Sequence, residues 1–211
     1  MLIERPPRLF RCLVPGGIFR MPVRAGERCV YLTFDDGPIP EATPWVLDAL
    51  EEAGVRATFF FVGDNVRKHP ELAAQVRARG HGVGTHTMHH LQGHGNTTRT
   101  YLRDVQQADS LIGSPLFRPP HGWLRPRQAR ALRRRYHIIM YDLVTRDYSH
   151  RVDARQVLRN LKRYARPGAI IVFHDSLRSI GKLRQILPEA LRWLREQGYE
   201  CRLLGDDLPK K

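Results

Sequence analysis

Short apolar runs alternate along the chain with longer segments in which apolar residues recur every three or four positions. Residues 30–34 form one such run, which is rich in β-forming residues and is followed by Gly37 and Pro38. Residues 98–112 show the second pattern, with the apolar residues on one side of a helical projection. The first pattern predicts a strand and the second an amphipathic helix.

The same patterns predict seven strands and six helices along the chain. The predicted strands cover residues 30–34, 57–62, 82–85, 116–118, 138–143, 169–173 and 200–204. The predicted helices cover residues 43–53, 70–79, 98–112, 126–135, 153–164 and 183–197. Pro44 in a first turn, Gly54 and Gly80 after last turns, and Asp153 as an N-cap support these boundaries.

This alternation predicts the α/β class, with a mostly parallel sheet that has helices outside it and that either closes as a barrel or stays open. Ligands bind at the carboxyl ends of the strands in such folds. No repeat or linker interrupts the pattern, so we expect one domain. Residues 1–28 precede the first strand, and we expect this N-terminal extension to pack across the bottom of the domain. A membrane-surface contact is the alternative, because the extension is both basic and apolar.

The formal net charge of the 211 residues is +14. Such a charge attracts polyanions such as phospholipid headgroups, nucleic acid or acidic substrates. Six arginines lie within residues 125–135, as either a solvated helix face or a docking surface for an anionic membrane or glycan. No helix-turn-helix, zinc-finger or RNA-binding signature is present, so we do not expect nucleic acid as a partner.

The chain has no run of about 18 apolar residues, so no transmembrane helix is predicted. Arg5, Arg8 and Arg11 interrupt the stretch that would form the apolar region of a signal peptide. The three cysteines are widely spaced and odd in number, which fits reduced thiols better than a disulfide framework. We therefore expect a cytoplasmic protein, with peripheral membrane contact as an extension of the charge argument.

Two adjacent carboxylates, Asp35 and Asp36, follow the first predicted strand. Side chains of an extended chain alternate in direction, so one carboxylate can face a metal while the other stays beside it as a base. A lone Asp-Asp-Gly sequence is more often only a turn. The flanking Thr33, Phe34 and Pro38, together with histidines further along the chain, favour the functional interpretation.

His86 and His90 are four residues apart, a spacing that places two imidazoles on one face of a helical turn. His94 leaves this assignment open, because His90 and His94 have the same spacing, and a polar loop without metal is the alternative. One Asp and two His would leave open coordination positions, which is typical of a catalytic zinc site.

Three more polar residues follow later strands. Arg118 could orient a carboxylate such as Asp35 or form only a surface salt bridge. His174 ends an apolar strand, where it is either a general acid or a satisfied structural histidine. Asp147 follows the preceding strand and could pair with His174, which would favour the imidazolium form.

These motifs, in this order, resemble the polysaccharide deacetylases of carbohydrate esterase family 4, the NodB homology domain. Residues 33–38 read Thr-Phe-Asp-Asp-Gly-Pro, the most specific string, and His-Thr-x-x-His, Arg-x-Pro and a late hydrophobic-x-His follow. The resemblance covers about residues 29–204 and implies a catalytic domain over residues 29–211. It also implies that the fold is a distorted (β/α) barrel.

The resemblance implies a role for each position. Asp36, His86 and His90 match the metal ligands, which usually hold Zn²⁺, and Co²⁺ suits the same donors. Asp35 matches the catalytic base and Arg118 its partner. The catalytic acid and its carboxylate partner correspond to His174 and Asp147, and the backbone N–H of His121 matches an oxyanion donor.

The chain departs from the family pattern in three motifs near the site. His121 replaces a frequent Tyr, and Val144 and Tyr148 replace the first Asp and the Trp of Asp-x-x-Asp-Trp. Val172 replaces the usual Leu near His174, which is a minor change. We expect the first three changes to alter the substrate-binding wall, which includes Tyr148, while the metal, base and acid positions stay filled.

The resemblance therefore predicts a metal-dependent hydrolase that removes N-acetyl groups from amino sugars in an oligo- or polysaccharide containing N-acetylglucosamine. An anionic or lipid-linked amino sugar at the cytoplasmic membrane face is an alternative substrate, suggested by the positive charge. A non-catalytic glycan-binding relative, a nucleic-acid-binding protein and a different metal amidase or phosphoesterase are rival interpretations.

Overall fold

The computed structural model of the protein describes residues 4–205 and residue 208. A single parallel sheet has helices packed around it. Residues 1–3, 206–207 and 209–211 of the predicted extension and catalytic domain lie outside the described residues. The strands are β1 (Gly17–Ile18), β2 (Cys29–Asp35), β3 (Thr58–Phe61), β4 (Gly82–Thr85), β5 (Leu116–Phe117), β6 (His137–Ile139), β7 (Leu143–Val144), β8 (Ala169–His174) and β9 (Glu200–Cys201).

Eight α-helices accompany these strands in the described part of the chain. They are α1 (Arg8–Cys12), α2 (Thr43–Glu52), α3 (Gly63–Lys68), α4 (Pro70–Ala78), α5 (Thr98–Ile112), α6 (Pro126–Leu132), α7 (Ala154–Tyr164) and α8 (Ile180–Glu196), with a 3₁₀ turn at Pro120–Gly122. Asp153 is the N-cap of α7, as predicted, and accepts a hydrogen bond from the backbone N–H of Gln156 at 2.6 Å. No helix of the described chain is both long enough and apolar enough to cross a lipid bilayer.

The strand order is β1-β6-β5-β4-β3-β2-β8-β7, with β9 added beside the start of β2, and every pairing between these strands is parallel. Parallel strands place all their carboxyl ends at one edge of the sheet. The register sets Asp35 opposite both Phe60 and His174. Two motifs that are far apart in the sequence therefore meet at this edge.

Alternation along β2 decides which side chains face the helices and which face the barrel interior. Leu32 and Phe34 belong to the core beneath the helices, where the Phe34 ring stacks on Phe59 at 5.1 Å and on Phe173 at 5.6 Å. Tyr31 packs in the barrel interior with Phe60 and Ile170. Asp35 lies an even number of residues from Tyr31, so the same alternation turns its side chain inward.

The predicted helices and six of the seven predicted strands are present, with boundaries shifted by no more than three residues. The prediction of one strand over residues 138–143 is wrong, because these residues form parts of β6 and β7. Met140 donates its N–H to the Ile18 carbonyl of β1 at 2.8 Å, whereas Asp142 donates to Ile170 of β8 at 3.0 Å. The backbone thus changes its pairing partner from β1 at Met140 to β8 at Asp142. This break in the strand pairing at residues 140–142 is the seam of the barrel.

Residues 4–28 form the N-terminal segment, whose first part runs along this seam, while Met21 and Val23 pack in the barrel interior with Tyr31 and Ile170. Within this segment β1 pairs with β6, and Arg20 forms an antiparallel bridge with Ala169 of β8. At the carboxyl edge, Val144 donates its N–H to the Glu4 carbonyl at 2.9 Å. Strand edges expose backbone donors and acceptors, and an extended segment satisfies them.

The arginines of residues 125–135 are only partly a solvated face. Arg125 donates to the His94 carbonyl from Nε at 3.0 Å and from Nη2 at 2.5 Å. Arg135 donates to Asp109 at 2.7 Å. These two side chains hold neighbouring parts of the fold together, which the charge pattern alone did not indicate.

The side chain of Asp142 anchors the seam. It is fully buried and accepts hydrogen bonds from Arg11 at 3.2 Å and from Arg166 at 2.6 and 2.5 Å. The two arginine side chains are 34% and 32% exposed. The carboxylate therefore joins the N-terminal segment to the start of β8.

Replacing Asp142 with Ala should lower the free energy of unfolding by about 2 kcal/mol, less than for a fully buried pair because water still reaches both arginines. Denaturant unfolding measures the change. Glu189→Ala, which removes an ion pair between exposed Lys162 and Glu189, is the control and should cost less than about 1 kcal/mol. Equal losses in the two variants would show that the Asp142 cluster does not stabilise the seam.

Candidate metal centre and active site

Asp35 and Asp36 diverge at the carboxyl end of β2, as expected, but not through an extended backbone. Asp36 has φ 82°, a left-handed conformation that is uncommon for residues other than glycine. Asp35 points into the barrel and is 5% exposed. Asp36 instead points towards two histidines of the neighbouring loop, so the two carboxylates occupy different surroundings.

A buried carboxylate, Asp175, holds the turn that contains Asp36. Its Oδ1 accepts the N–H of Gly37 at 3.2 Å, its Oδ2 accepts the hydroxyl of Thr43 at 2.6 Å, and its own N–H donates to the Asp35 carbonyl at 3.1 Å. A Cβ on residue 37 would overlap this carboxylate, which requires glycine there. Burial raises the pKa of Asp175 well above its ordinary value, and the hydrogen bond from Thr43 opposes that shift. The sequence pattern indicates no role for Asp175, although it directly follows His174.

Asp36, His86 and His90 bring their ligand atoms together, all within 4.8 Å of one another. The Oδ1 atom of Asp36 lies 3.9 Å from Nε2 of His86 and 3.2 Å from Nε2 of His90. The predicted helical turn is absent, because Thr87 and His90 have φ values of 65° and 52°. A loop with two left-handed residues, not a helix face, thus aims both imidazoles at Asp36.

Hydrogen bonds from α3 and α5 hold the loop that carries the two histidines. The carboxylate of Asp104, a buried residue of α5, accepts the N–H of Met88 at 2.7 Å and of His89 at 3.3 Å. Two N–H groups of α3, those of Gly63 and Asp64, donate to loop carbonyls at 2.9 Å each. Asp104 is a second positioning residue that the sequence did not reveal, because its neighbours only suggested a buried helix face.

The chemistry of these donors fits a divalent cation. Burial lowers the pKa of His86 to about 4, which keeps its imidazole neutral. Its Nδ1 lies 2.8 Å from the Arg118 carbonyl, which can only accept, so Nδ1 carries the proton and the Nε2 lone pair faces Asp36. Burial alone would raise the pKa of Asp36, but the hydrogen bond from His90 and the nearby histidine charges lower it. An anionic carboxylate and a neutral imidazole are the forms that bind a metal.

The other histidines of this loop point elsewhere. The Nδ1 atom of His89 lies 2.7 Å from Asp64 Oδ2, and the ring of His94 lies 6.4 Å from that of Trp123. Within residues 4–205 and 208, no other group of three His, Cys, Asp or Glu side chains converges in this way. The geometry thus favours His86 with His90 over His90 with His94.

Arg118 leaves the end of β5 and crosses the barrel interior to reach Asp35. Its Nη1 donates to Asp35 Oδ1 and to Thr33 Oγ1, each at 2.7 Å. Its other nitrogens donate to the carbonyls of Ile139 at 3.3 Å and Met140 at 3.1 Å. Burial lowers the pKa of Arg118 and the Asp35 carboxylate opposes this, so the guanidinium stays charged. This is a buried ion pair, not a surface salt bridge.

His174 and Asp147 form a second pair on the other side of Asp35. The Nδ1 atom of His174 lies 2.8 Å from Asp147 Oδ1, and the N–H of His174 donates to Asp147 Oδ2 at 2.8 Å. Burial alone would lower the pKa of His174, but the charge and hydrogen bond of Asp147 raise it to about 9. His174 is therefore an imidazolium at neutral pH, with Asp147 fixing its ring.

Aromatic rings line two sides of the site. The Tyr148 ring lies 4.7 Å from that of His174, edge to face. The His121 ring lies 4.8 Å from that of His90, also edge to face. His121 has φ 58°, and burial lowers its pKa. The side chain that replaces the family's Tyr therefore packs on a candidate metal ligand.

The comparisons with known proteins agree with this arrangement. A family model described as polysaccharide deacetylase matches residues 23–138, more than half of the chain. The protein belongs to the polysaccharide deacetylase family, a family of hydrolases, and the resemblance to carbohydrate esterase family 4 is confirmed.

Individual relatives match over most of the chain. A peptidoglycan-N-acetylglucosamine deacetylase of Bacillus cereus is 31% identical over 199 residues, 89% of this chain and 91% of that protein. A chitooligosaccharide deacetylase of Rhizobium leguminosarum bv. trifolii is 34% identical over 156 residues, 71% of this chain and 72% of that protein. The crystal structure of the Bc1960 peptidoglycan N-acetylglucosamine deacetylase is 24% identical and covers 98% of each chain with a TM-score of 0.83. That likeness confirms the predicted distorted (β/α) barrel.

His90→Ala should abolish tight zinc binding, because it removes one of three converging donors. We expect a loss larger than the roughly 10- to 100-fold that follows removal of a group that only hydrogen-bonds to a metal ligand. His94→Ala and His89→Ala are matched controls and should keep the affinity of the unsubstituted protein. Competition with a chromophoric chelator measures the zinc affinity of the unsubstituted protein and of the three variants. A loss in His94→Ala with none in His90→Ala would reverse the ligand assignment.

Proposed function

We propose that the protein hydrolyses the N-acetyl group of N-acetylglucosamine units in an oligo- or polysaccharide. One observation carries the proposal: three functional groups meet at the carboxyl edge of the sheet. They are the donors Asp36, His86 and His90, the pair Asp35–Arg118 and the pair His174–Asp147. The names of the two sequence relatives, which act on peptidoglycan N-acetylglucosamine and on chitooligosaccharide, support the same substrate class.

Asp36, His86 and His90 would hold the metal, with Zn²⁺ as the first candidate and Co²⁺ as another that suits the donors. A divalent cation bound there supplies a Lewis acid that polarises the amide oxygen and acidifies a water molecule. The protein's part is to orient both imidazoles, and burial keeps that of His86 neutral. The carbonyl of Arg118 orients His86, and the carboxylate of Asp104 supports the loop between the two histidines.

Asp35 acts as the general base in this proposal. Arg118 binds Oδ1 at 2.7 Å, which leaves Oδ2 to accept the proton of the attacking water. The guanidinium also supplies the counter-charge of this buried carboxylate. Arg118 therefore acts through Asp35 and is a positioning residue.

His174 acts as the general acid. As an imidazolium held by Asp147 it donates a proton from Nε2 to the amine nitrogen as the carbon–nitrogen bond breaks. The backbone N–H of His121 is the proposed donor to the oxyanion, a role that a change of side chain from Tyr to His does not remove. The products are acetate and a free amino sugar.

Two rival interpretations have less support. A non-catalytic glycan-binding relative has no need for a paired base and a paired acid beside three converging metal donors. Three further predictions rest on net charge and on the N-terminal residues and stay predictions. They are a lipid-linked amino sugar as substrate, contact with an anionic membrane, and a cytoplasmic location. The substrates in the relatives' names favour a saccharide chain over a lipid-linked sugar.

Asp35→Asn should lower kcat for acetate release by about 10²- to 10⁴-fold, the usual contribution of a general base. Zinc affinity should stay unchanged, because Asp35 is not among the converging donors. Acetate release from N-acetylglucosamine oligomers and chelator competition measure the two quantities. Asp48→Asn, on the exposed face of α2, is the control. Full activity in Asp35→Asn would remove Asp35 from the role of base.

The pH profile of kcat should fall as the pH rises through about 9, because His174 acts only while it is protonated. Asp147→Asn removes the negative charge that raises this pKa, so the alkaline limb should move to lower pH. Asp153→Asn, a conservative change at an exposed N-cap, should leave the limb in place. An alkaline limb that stays unmoved in Asp147→Asn would contradict the assignment of His174 as the acid.

A further inference from the structure

Few large apolar side chains of the described chain are strongly exposed, and most of them lie on loops at the active-site edge. They are Leu13, Leu111, Trp123, Tyr148 and Leu177. The two aromatic residues of this set, Trp123 and Tyr148, both follow strands that carry site residues. Exposed apolar surface beside a catalytic site often marks a binding surface.

Trp123 lies two residues after His121, whose ring packs on His90. Tyr148 packs on His174 and is thus on the other side of the converging donors. Trp123 is 44% exposed. A saccharide chain with one amino sugar between His90 and His174 would therefore run towards one of these two rings.

The position of the Trp123 ring is set by a second aromatic side chain. The ring of Phe10, from α1 in the N-terminal segment, meets it edge to face at a centroid distance of 5.1 Å and an angle of 88°. Phe10 also contacts Phe19 at 6.2 Å, which links it to the barrel. This geometry holds the indole from the side and leaves much of its surface to solvent.

The loop beneath Trp123 is rigidly tied to the loop of the metal donors. Gln128 donates to the Gly93 carbonyl at 2.9 Å and accepts the N–H of Arg125 at 2.9 Å. Arg125 itself donates to the His94 carbonyl. The indole therefore keeps a defined position relative to the site, which lowers the entropy lost on binding a ligand.

We propose that Trp123 is the stacking platform of a further sugar subsite, which binds a pyranose ring of the same saccharide chain next to the residue being deacetylated. Phe10 is its positioning residue. One face of a pyranose presents C–H groups that suit the negative face of an indole ring. The inference rests on the proposed function for its substrate class, and it predicts a preference for longer saccharides.

Trp123→Ala should raise KM for N-acetylglucosamine tetramer and pentamer by about three- to tenfold, the equivalent of one aromatic contact. KM for the monomer and kcat for all lengths should stay unchanged. Trp123→Phe keeps a smaller ring, so its KM for these oligomers should lie between those of the unsubstituted protein and of Trp123→Ala. Leu111→Ala removes an equally exposed apolar side chain on the outer face of α5 and is the matched control. A uniform loss across chain lengths, or no loss, would overturn the proposal.

Phe10→Ala should reproduce part of the loss, again only for the longer substrates, and Phe10→Tyr should restore the ring contact and the affinity. In a Trp123→Ala background, Phe10→Ala should have no further effect, because its action passes through the indole. Additive losses in the double variant would remove Phe10 from the positioning role.

Calorimetric binding of the pentamer by proteins that carry Asp35→Asn separates this proposal from the catalytic one. Trp123-dependent binding with no acetate release by the unsubstituted protein would leave the subsite standing and defeat the proposed activity. Acetate release with pentamer binding that is indifferent to Trp123 would do the reverse.

Discussion

The rest of the site depends on the buried ion pair between the Arg118 guanidinium and Asp35. The side chain of Arg118 fixes Asp35, and its backbone carbonyl fixes the tautomer of His86, so one residue orients the proposed base and a candidate metal donor. The guanidinium carbon lies 4.1 Å from the centroid of the Phe60 ring, and two carbonyls at the barrel seam accept hydrogen bonds from its Nε and Nη2. Without Arg118, Asp35 would be a buried carboxylate with no counter-charge, which a folded protein tolerates poorly.

Backbone strain is concentrated around this interaction. The residues other than glycine with left-handed φ in the described chain are Asp36, Thr87, His90, His121 and Arg146. All of them lie in loops at the carboxyl edge of the sheet. Each such conformation costs on the order of 1 kcal/mol or more, and it persists only where surrounding contacts hold it. Asp175 and Asp104 supply such contacts to the turn of Asp36 and to the loop of His90.

The N-terminal segment connects the seam of the barrel to the walls of the site. Arg146 Nη1 donates to Glu4 Oε1 at 2.8 Å and directly precedes Asp147, the partner of the proposed acid, while Phe10 contacts Trp123 on the other wall. Val144, where the family has an Asp, donates its N–H to the Glu4 carbonyl. The N-terminal segment thus contacts residues on both sides of the candidate site.

The sequence by itself determined the α/β class, most of the helices and strands but not α1, α3 or β1, and the order of the proposed catalytic motifs, because periodicity and turn chemistry are local properties. It also singled out Asp35, Asp36, His86, His90, Arg118, Asp147 and His174 through a specific family pattern. Only the tertiary structure favoured His86 over His94 as the partner of His90 and divided the strand predicted over residues 138–143 between β6 and β7. It also showed that Asp104 and Asp175 hold the loops of the candidate site. These outcomes depend on contacts between residues distant in the chain, such as Asp142 with Arg11, and no local pattern records them.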